Sequence, residues 1–437
     1  MKVLISGAGI AGNALAFWLS KLGHEVIVVE WFPNLRATGL QIDLRGPGIQ
    51  VLRRMGLEEA FRAKAAPEHG FQIVDGSGRR RAYFPANKSG KGLQSLTSDF
   101  EIMRGDLCHL LHHATEGRAT YVFGTSIESY EEKDSVVEVQ FAGGRTDTFD
   151  LVVGADGQWS KTRKMMLGPD APDALYLLGG VYTAYFTMPR PIEEGEEYIA
   201  TAYIAPGRRG LFLRRHSPDT VQVYMGCTSD SDKLRGARRG DMKAEKEALA
   251  EFYQGAGWRT REIVKAMREA DDFYCERMCL VKLDAWSRGR VTLVGDAGYC
   301  PSATTGMGTT CGMVGAYILA GEIARHCGGN DTKDDLAGAL KAYDEKFRPF
   351  MDQVQKGVAS DTGMWSSMPT SAFGVGVLNC IMGLVSFLRL DLAKWFLKED
   401  AVKDWKLPEA RSNFPLRSLY FEEFTTQCHV LNFQSAN

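Results

Sequence analysis

Val3-Leu4-Ile5-Ser6-Gly7-Ala8-Gly9-Ile10-Ala11-Gly12 opens the chain, and the next apolar run, Val26-Ile27-Val28-Val29, closes on Glu30. A short apolar run that ends in glycine has the pattern of a parallel strand buried on both faces. Ile10 to Leu22 has helical texture, with Gly23 as its stop signal. The spacing therefore predicts a complete βαβ unit. Gly7 would make the tight turn, Gly9 would let the backbone approach a pyrophosphate, and Gly12 would permit close packing of helix on strand. Ala11 belongs to the same turn and is counted with them. The phosphates would sit at the helix N-terminus. Glu30 stands eighteen residues after Gly12, where a carboxylate can accept from ribose hydroxyls. A lone GxGxxG is weak; with strand, helix and acid all in place it predicts a dinucleotide site.

Two later fragments extend that reading. Leu151-Val152-Val153-Gly154 reads as a second buried strand with Asp156-Gly157 at its carboxyl end. Val291-Thr292-Leu293-Val294 reads as the last one, ending in Gly295-Asp296 and followed by Gly306-Met307-Gly308-Thr309. Ligands of doubly wound sheets bind at the carboxyl ends of the strands. Asp156 has a second reading, as the cap of a helix that begins near Ser160.

Between these fragments, from about Tyr176 to Cys227, aromatic and β-branched runs alternate with turns such as Pro206-Gly207. They predict an antiparallel sheet. The expected fold class is α/β: a doubly wound, glutathione-reductase-like Rossmann domain interleaved with an antiparallel-sheet substrate domain and C-terminal helices. The expected boundaries are 1–175 with 285–360 for the first domain, 176–284 for the second, and 361–437 for a C-terminal segment. Tyr185, Tyr203, Phe212, Arg214 and Tyr224 are candidate pocket residues, since alternate strand positions face one side. Core or surface roles remain open for each of them.

With 44% hydrophobic residues in 437, the chain can bury a sizeable core. A net charge of −2 gives no electrostatic footprint for nucleic acid. The nine cysteines are scattered, as buried thiols of a reducing compartment would be. His109, His112 and His113 share a helix but lack further ligands, so no metal site is expected. The N-terminus runs straight into the glycine motif and has no secretory pattern, which favours a cytoplasmic location. Thr362 to Leu388 carries no charge, and Arg389 to Phe396 looks amphipathic. The stretch 362–396 is read either as a helix covering the site or as a membrane contact.

The order GxGxxG…Glu, Arg104-Gly105-Asp106-Leu107, Gly154-Ala155-Asp156-Gly157, Gly295-Asp296-Ala297…Gly306-Met307-Gly308 resembles the para-hydroxybenzoate-hydroxylase-like, single-component FAD monooxygenases. Arg36 to Leu44 looks like the branch with tetracycline-inactivating and natural-product tailoring enzymes. The resemblance implies that Glu30 holds the adenosine ribose, Arg104 the pyrophosphate or ribityl region, and Asp296 a ribityl hydroxyl. It implies that Gly306, Met307, Gly308 and Thr309 begin a helix aimed at the flavin pyrimidine, and that Asp43 lies close to the flavin. Arg36 would contact the nicotinamide nucleotide, or stand as a surface arginine. Asp156 would serve FAD and pyridine nucleotide together. Two departures stand out. Gly298-Tyr299-Cys300-Pro301 replaces the usual alanine, histidine and two prolines, and Trp31 follows Glu30 where arginine is frequent.

The implied chemistry takes NAD(P)H, FAD and O2 through a flavin C4a-hydroperoxide to hydroxylate an electron-rich small-molecule substrate of aromatic, polyketide or alkaloid type. No acid or base is assigned from the sequence. An epoxidase, a Baeyer–Villiger enzyme, a dehydrogenase or a non-catalytic flavin binder remain the other readings. A flavin halogenase is disfavoured by the lack of a Trp-x-Trp-x-Ile-Pro segment.

Overall fold

The computed structural model describes residues 1–36, 39–86, 100–328, 335–358, 367–389, 402 and 405–409. Its first layer is a six-stranded sheet in the order Ser287–Arg288, Val291–Leu293, Leu151–Gly154, Lys2–Ser6, Glu25–Glu30, Thr120–Phe123. Every neighbouring pair is parallel except the two-residue Ser287–Arg288 edge. Val3, Leu4, Ile5 and Leu151 to Val153 are fully buried, as continuous apolar runs covered on both faces must be. Helix Ile10–Lys21 follows the first strand as the spacing predicts. It packs on the long helix Gly308–His326. The two meet closely because glycines stand opposite Ala11. A Cβ on Gly312 would lie 3.4 Å from that of Ala11, and one on Gly295 only 2.7 Å away.

The second layer is a seven-stranded sheet in the order Tyr274–Val281, Leu175–Pro189, Thr220–Thr228, Arg209–Arg215, Ile199–Ala205, Gly70–Val74, Arg80–Pro85. It is antiparallel apart from the pair Ile199–Ala205 with Gly70–Val74. The hairpin from Gly70 to Pro85 falls within the expected first domain, yet it forms an edge of this sheet. Its second strand begins Arg80-Arg81, so no apolar alternation announced it. One face of the sheet is closed by helices Met242–Phe252 and Thr260–Glu269 over a core that includes Tyr182, Ala184, Phe186, Val223 and Met225. A small meander, Ile127–Lys133, Val136–Phe141 and Thr146–Phe149, hangs beside the first sheet. Its second turn uses Gly143 and Gly144 at φ 93° and 85°, where a side chain would be strained.

Within the uncharged C-terminal stretch, Ala372–Phe387 is a 16-residue helix. Its Leu378, Met382 and Val385 pack against Phe71, Ile73, Ala82 and Phe84 on the open face of the seven-stranded sheet. Among the described residues, no helix is long and apolar enough to cross a membrane. The membrane-contact reading of 362–396 thus gains no support. Residues 362–366 and 390–396, including most of the amphipathic segment, lie outside the described residues.

Candidate active site

The carboxyl ends of the first sheet build one end of a cleft. Gly7 has φ 112°, and a Cβ there would lie 2.6 Å from the Ala155 carbonyl oxygen. A Cβ on Gly12 would lie 2.0 Å from the Gly7 carbonyl oxygen. Neither position tolerates a side chain, which is the physical content of the motif. Gly9 caps helix Ile10–Lys21 with no side-chain partner, so the helix presents bare backbone N–H groups. Glu30 is fixed beside them: the Ala8 N–H donates to its Oε2 at 2.9 Å and the Phe32 N–H to its Oε1 at 3.1 Å. A carboxylate so held keeps lone pairs for further donors. Trp31 next to it is exposed and packs on Phe32 with ring centres 4.0 Å apart and the rings tilted by 47°.

Arg104 begins helix Arg104–His113 and crosses to the same place. Its Nη2 lies 3.8 Å from the point a Cβ on Gly9 would occupy, and its stem crowds Gly39. A guanidinium therefore faces the positive end of a helix dipole. These two positive features, converging on one place, suit a dianion such as a pyrophosphate.

Asp296 follows the last parallel strand through Gly295, whose φ is 66°. Its Oδ1 sits 4.0 Å from where a Cβ on Gly308 would be, at the N-terminus of helix Gly308–His326. Burial pushes the Asp296 carboxyl up, and the Arg104 guanidinium works against that. Gly306, Gly308 and Thr309 are half-buried at the helix start. Met307 is wholly buried, and its side chain packs in the core.

The remaining sequence candidates divide. Arg36 is not a surface arginine: its guanidinium lies 5.3 Å over both the Phe32 and Tyr274 rings, and burial, then Arg104, lower its pKa. Asp43 pairs with the buried Arg45, whose backbone N–H donates to the Thr310 hydroxyl at 2.9 Å. That contact ties the Asp43 segment to the helix beginning at Gly308. Asp156 braces the start of a helix whose N-cap is Ser160. It accepts from Ser160 Oγ at 2.5 Å, and from the Thr162 N–H and hydroxyl at 3.0 Å each, at the start of helix Lys161–Leu167. The Ala11 side chain packs against Gly295 and Gly312.

The other end of the cleft is a row of rings on the open face of the seven-stranded sheet. Tyr274, Tyr185, Tyr224 and Phe212 occupy one rung of the ladder. Successive ring centres lie 4.9, 5.4 and 5.3 Å apart, and Phe71 continues the row 5.9 Å from Phe212. Tyr203 points the other way. Its hydroxyl donates to the Ala256 carbonyl at 2.6 Å inside the second core, one residue out of step with the rung. Arg214 is on the open face, but its charge is taken up internally. Its Nε and Nη2 donate to the two oxygens of Glu68 at 2.6 Å each, and Nη2 also meets Glu101. Gln41 Nε2 donates to Glu101 Oε2 at 2.7 Å. Burial, opposed by Arg214, pushes the Glu101 carboxyl up to about 8.

Sequence reasoning missed Tyr274, Glu276, Phe71 and the Glu68–Arg214–Glu101 cluster. The alternation Tyr274-Cys275-Glu276-Arg277-Met278 carried a readable strand signal. No cluster of potential metal ligands occurs among the described residues. A separate cavity of about 200 Å³, lined by Arg190, Arg215 and Trp258 among others, opens on the closed side of the sheet, away from the cleft.

The FAD binding domain family matches residues 1–358. The chain is 52% identical to the FAD-dependent monooxygenase asL4 of Sarocladium schorii, over 94% of this chain and 98% of that protein. It is 40% identical to the flavin-dependent monooxygenase eupH of a Phoma species, over 88% and 92%. Among solved structures, the tetracycline destructase Tet(51) superposes with a TM-score of 0.73 at 29% identity, covering 94% of this chain and 98% of that one. Klebsiella pneumoniae HpxO, solved with FAD and uric acid, shares the fold at a TM-score of 0.69 and 18% identity, over 92% and 97%.

Proposed function

The chain belongs to the FAD binding domain family, among FAD-dependent monooxygenases, and from that premise we propose that it uses NAD(P)H and O2 to hydroxylate a flat, electron-rich aromatic or polyketide-like small molecule. One observation carries the substrate class. The ring row Tyr274–Tyr185–Tyr224–Phe212–Phe71 runs from the Asp296 and Arg104 end towards helix Ala372–Phe387. Such a floor rewards stacking and apolar contact, and Arg214 has no free charge for an anionic substrate. The destructase neighbour is named for acting on tetracycline, which agrees with this choice.

The donor set fits FAD. Glu30 would accept from the adenosine ribose, and the bare helix start at Gly9 with Arg104 would hold the pyrophosphate. Asp296 would accept from the ribityl chain. The N–H groups from Gly308 onward would face the pyrimidine, where they favour negative charge. When bound, FAD supplies the reduction by NAD(P)H and the transfer of one oxygen atom, the other leaving as water. The protein orients the substrate on the ring row, and helix Ala372–Phe387 keeps water from its far end.

The test is an absorbance spectrum of the purified protein, followed by NADH and NADPH oxidation with and without phenolic and fused-ring polyketide compounds. Stimulated oxidation with a product one oxygen heavier, labelled from 18O2, is expected. A yellow protein whose NAD(P)H oxidation no compound stimulates would remove the hydroxylase reading.

A further inference from the structure

Glu276 is absent from every role above, although it stands in the wall of the cleft. It lies two residues after Tyr274 on strand Tyr274–Val281, and side chains two apart in a strand share a face. The ladder sets Glu276 opposite Thr183 and Tyr274 opposite Tyr185. Tyr274 holds Arg36 over its ring, so this face is the one turned to the cleft. Glu276 thus sets a carboxyl group on the rung beside the aromatic row.

Charged groups converge on it from four elements. Arg36 comes from the segment after Glu30, Arg104 from the helix Arg104–His113, Arg239 from the loop before helix Met242–Phe252, and Asp296 from the last parallel strand. Tyr274 and Cys275 on its own strand and Tyr185 on the next also sense its charge. Among the described residues no hydrogen bond or ion pair holds Glu276, and its strand position sets it on the face that Tyr274 turns to the cleft.

We propose that Glu276 is the proton-carrying acid of the cleft, neutral in the FAD-loaded protein and available to give its proton to an oxygen atom of the bound reactants. The step breaks the carboxyl O–H bond and forms one on that oxygen. The positive charges of Arg104, Arg239 and Arg36 favour the carboxylate left behind until a solvent proton restores it. This rests on the monooxygenase reading for the identity of the ligand, but not for the protonation state. Burial, then the nearby Asp296 carboxylate, already raise the Glu276 pKa, while Arg104, Arg239 and Arg36 oppose them. A diphosphate would take up the charge of Arg104, add negative charge and displace water. All three effects favour the protonated form. Binding of FAD is then linked to proton uptake at this residue.

The experiment is calorimetric titration of the full-length apoprotein with FAD between pH 5 and 8, in buffers of different ionisation enthalpy. The wild type should take up a proton, approaching about one per FAD near the optimum pH. Glu276→Gln should bind FAD with the same stoichiometry and lose that uptake. Arg239→Gln, which removes an opposing charge without touching the acid, should move the uptake to higher pH. Unchanged uptake in Glu276→Gln, or an unmoved profile in Arg239→Gln, overturns the assignment. The turnover arm separates the two readings. In the wild type kcat/KM should fall on the alkaline side, and Glu276→Gln should be slow with that limb absent. Lost uptake in a protein that transfers no oxygen would leave the acid in place and sink the hydroxylase reading. Unchanged uptake in an active hydroxylase would do the reverse.

Discussion

At the scale of single residues, acids in this protein differ by what surrounds them. Asp296 sits at a helix start facing Arg104, where a ligand hydroxyl would complete its hydrogen bonding. Asp296→Ala should therefore fold and lose FAD during purification; a fully flavinated, fully active variant would remove Asp296 from the cofactor site. Glu101 is buried against Arg214, Glu68 and Gln41 and holds its proton to about pH 8. A group whose pKa is higher folded than unfolded stabilises the native state at low pH. Native stability should thus fall as pH rises from the ordinary carboxyl range towards about 8, and stay level above it. Urea denaturation of Glu101→Gln should give a flatter pH dependence over that window. Glu30, Gly7 and Gly12 were legible in the sequence because their roles depend on neighbours within one βαβ unit. The bracing of the helix start by Asp156 was equally local, and its partners Ser160 and Thr162 stood within six residues. Glu276 was not legible, since its partners come from four distant segments.

At the scale of elements, helix Ala372–Phe387 and the hairpin from Gly70 to Pro85 make one unit. The Tyr83 N–H donates to Ser386 Oγ at 3.0 Å, and the Ser386 hydroxyl donates to the Tyr83 carbonyl at 2.7 Å. Removing both with Ser386→Ala should cost about 1–3 kcal/mol at this half-buried junction. Because the helix covers the far end of the ring row, the variant should raise KM for the substrate more than it lowers kcat. Steady-state kinetics beside a thermal melt decide this, and a change confined to kcat would argue that the helix does not cover the substrate. The parallel strands were readable as elements from their apolar runs. The hairpin was not, since a two-stranded edge with arginines on its outer strand has no distinguishing period. Alternation in the strand containing Tyr203 was also visible, but alternation does not say which face meets the cleft.

At the scale of the whole molecule, the two sheets are joined through charge as well as apolar contact. Arg214 belongs to the seven-stranded sheet, while Glu68 and Glu101 come from the segments that lead into and out of the first domain. Arg214→Met strands buried Glu68 without its guanidinium, and should cost about 3–5 kcal/mol, read as a lower denaturation midpoint. FAD at a hundredfold excess over its Kd should stabilise the wild type by about 2.7 kcal/mol. If the junction couples the layers, one cooperative melt should rise as a whole; a melt in which only part of the signal shifts would show the sheets unfolding separately. The sequence by itself determined the doubly wound sheet, the glycine turn with Glu30, and the Asp296 strand end. Each follows from backbone sterics and periodicity inside a short window. Tertiary structure alone decided that Tyr185, Tyr224 and Phe212 share the open face of the sheet while Tyr203 is core, that Arg214 is paired with Glu68, and that Glu276 stands on that open face beside Tyr274. Those outcomes depend on which face of a sheet is covered and on charges brought together across hundreds of residues, and no local pattern encodes either.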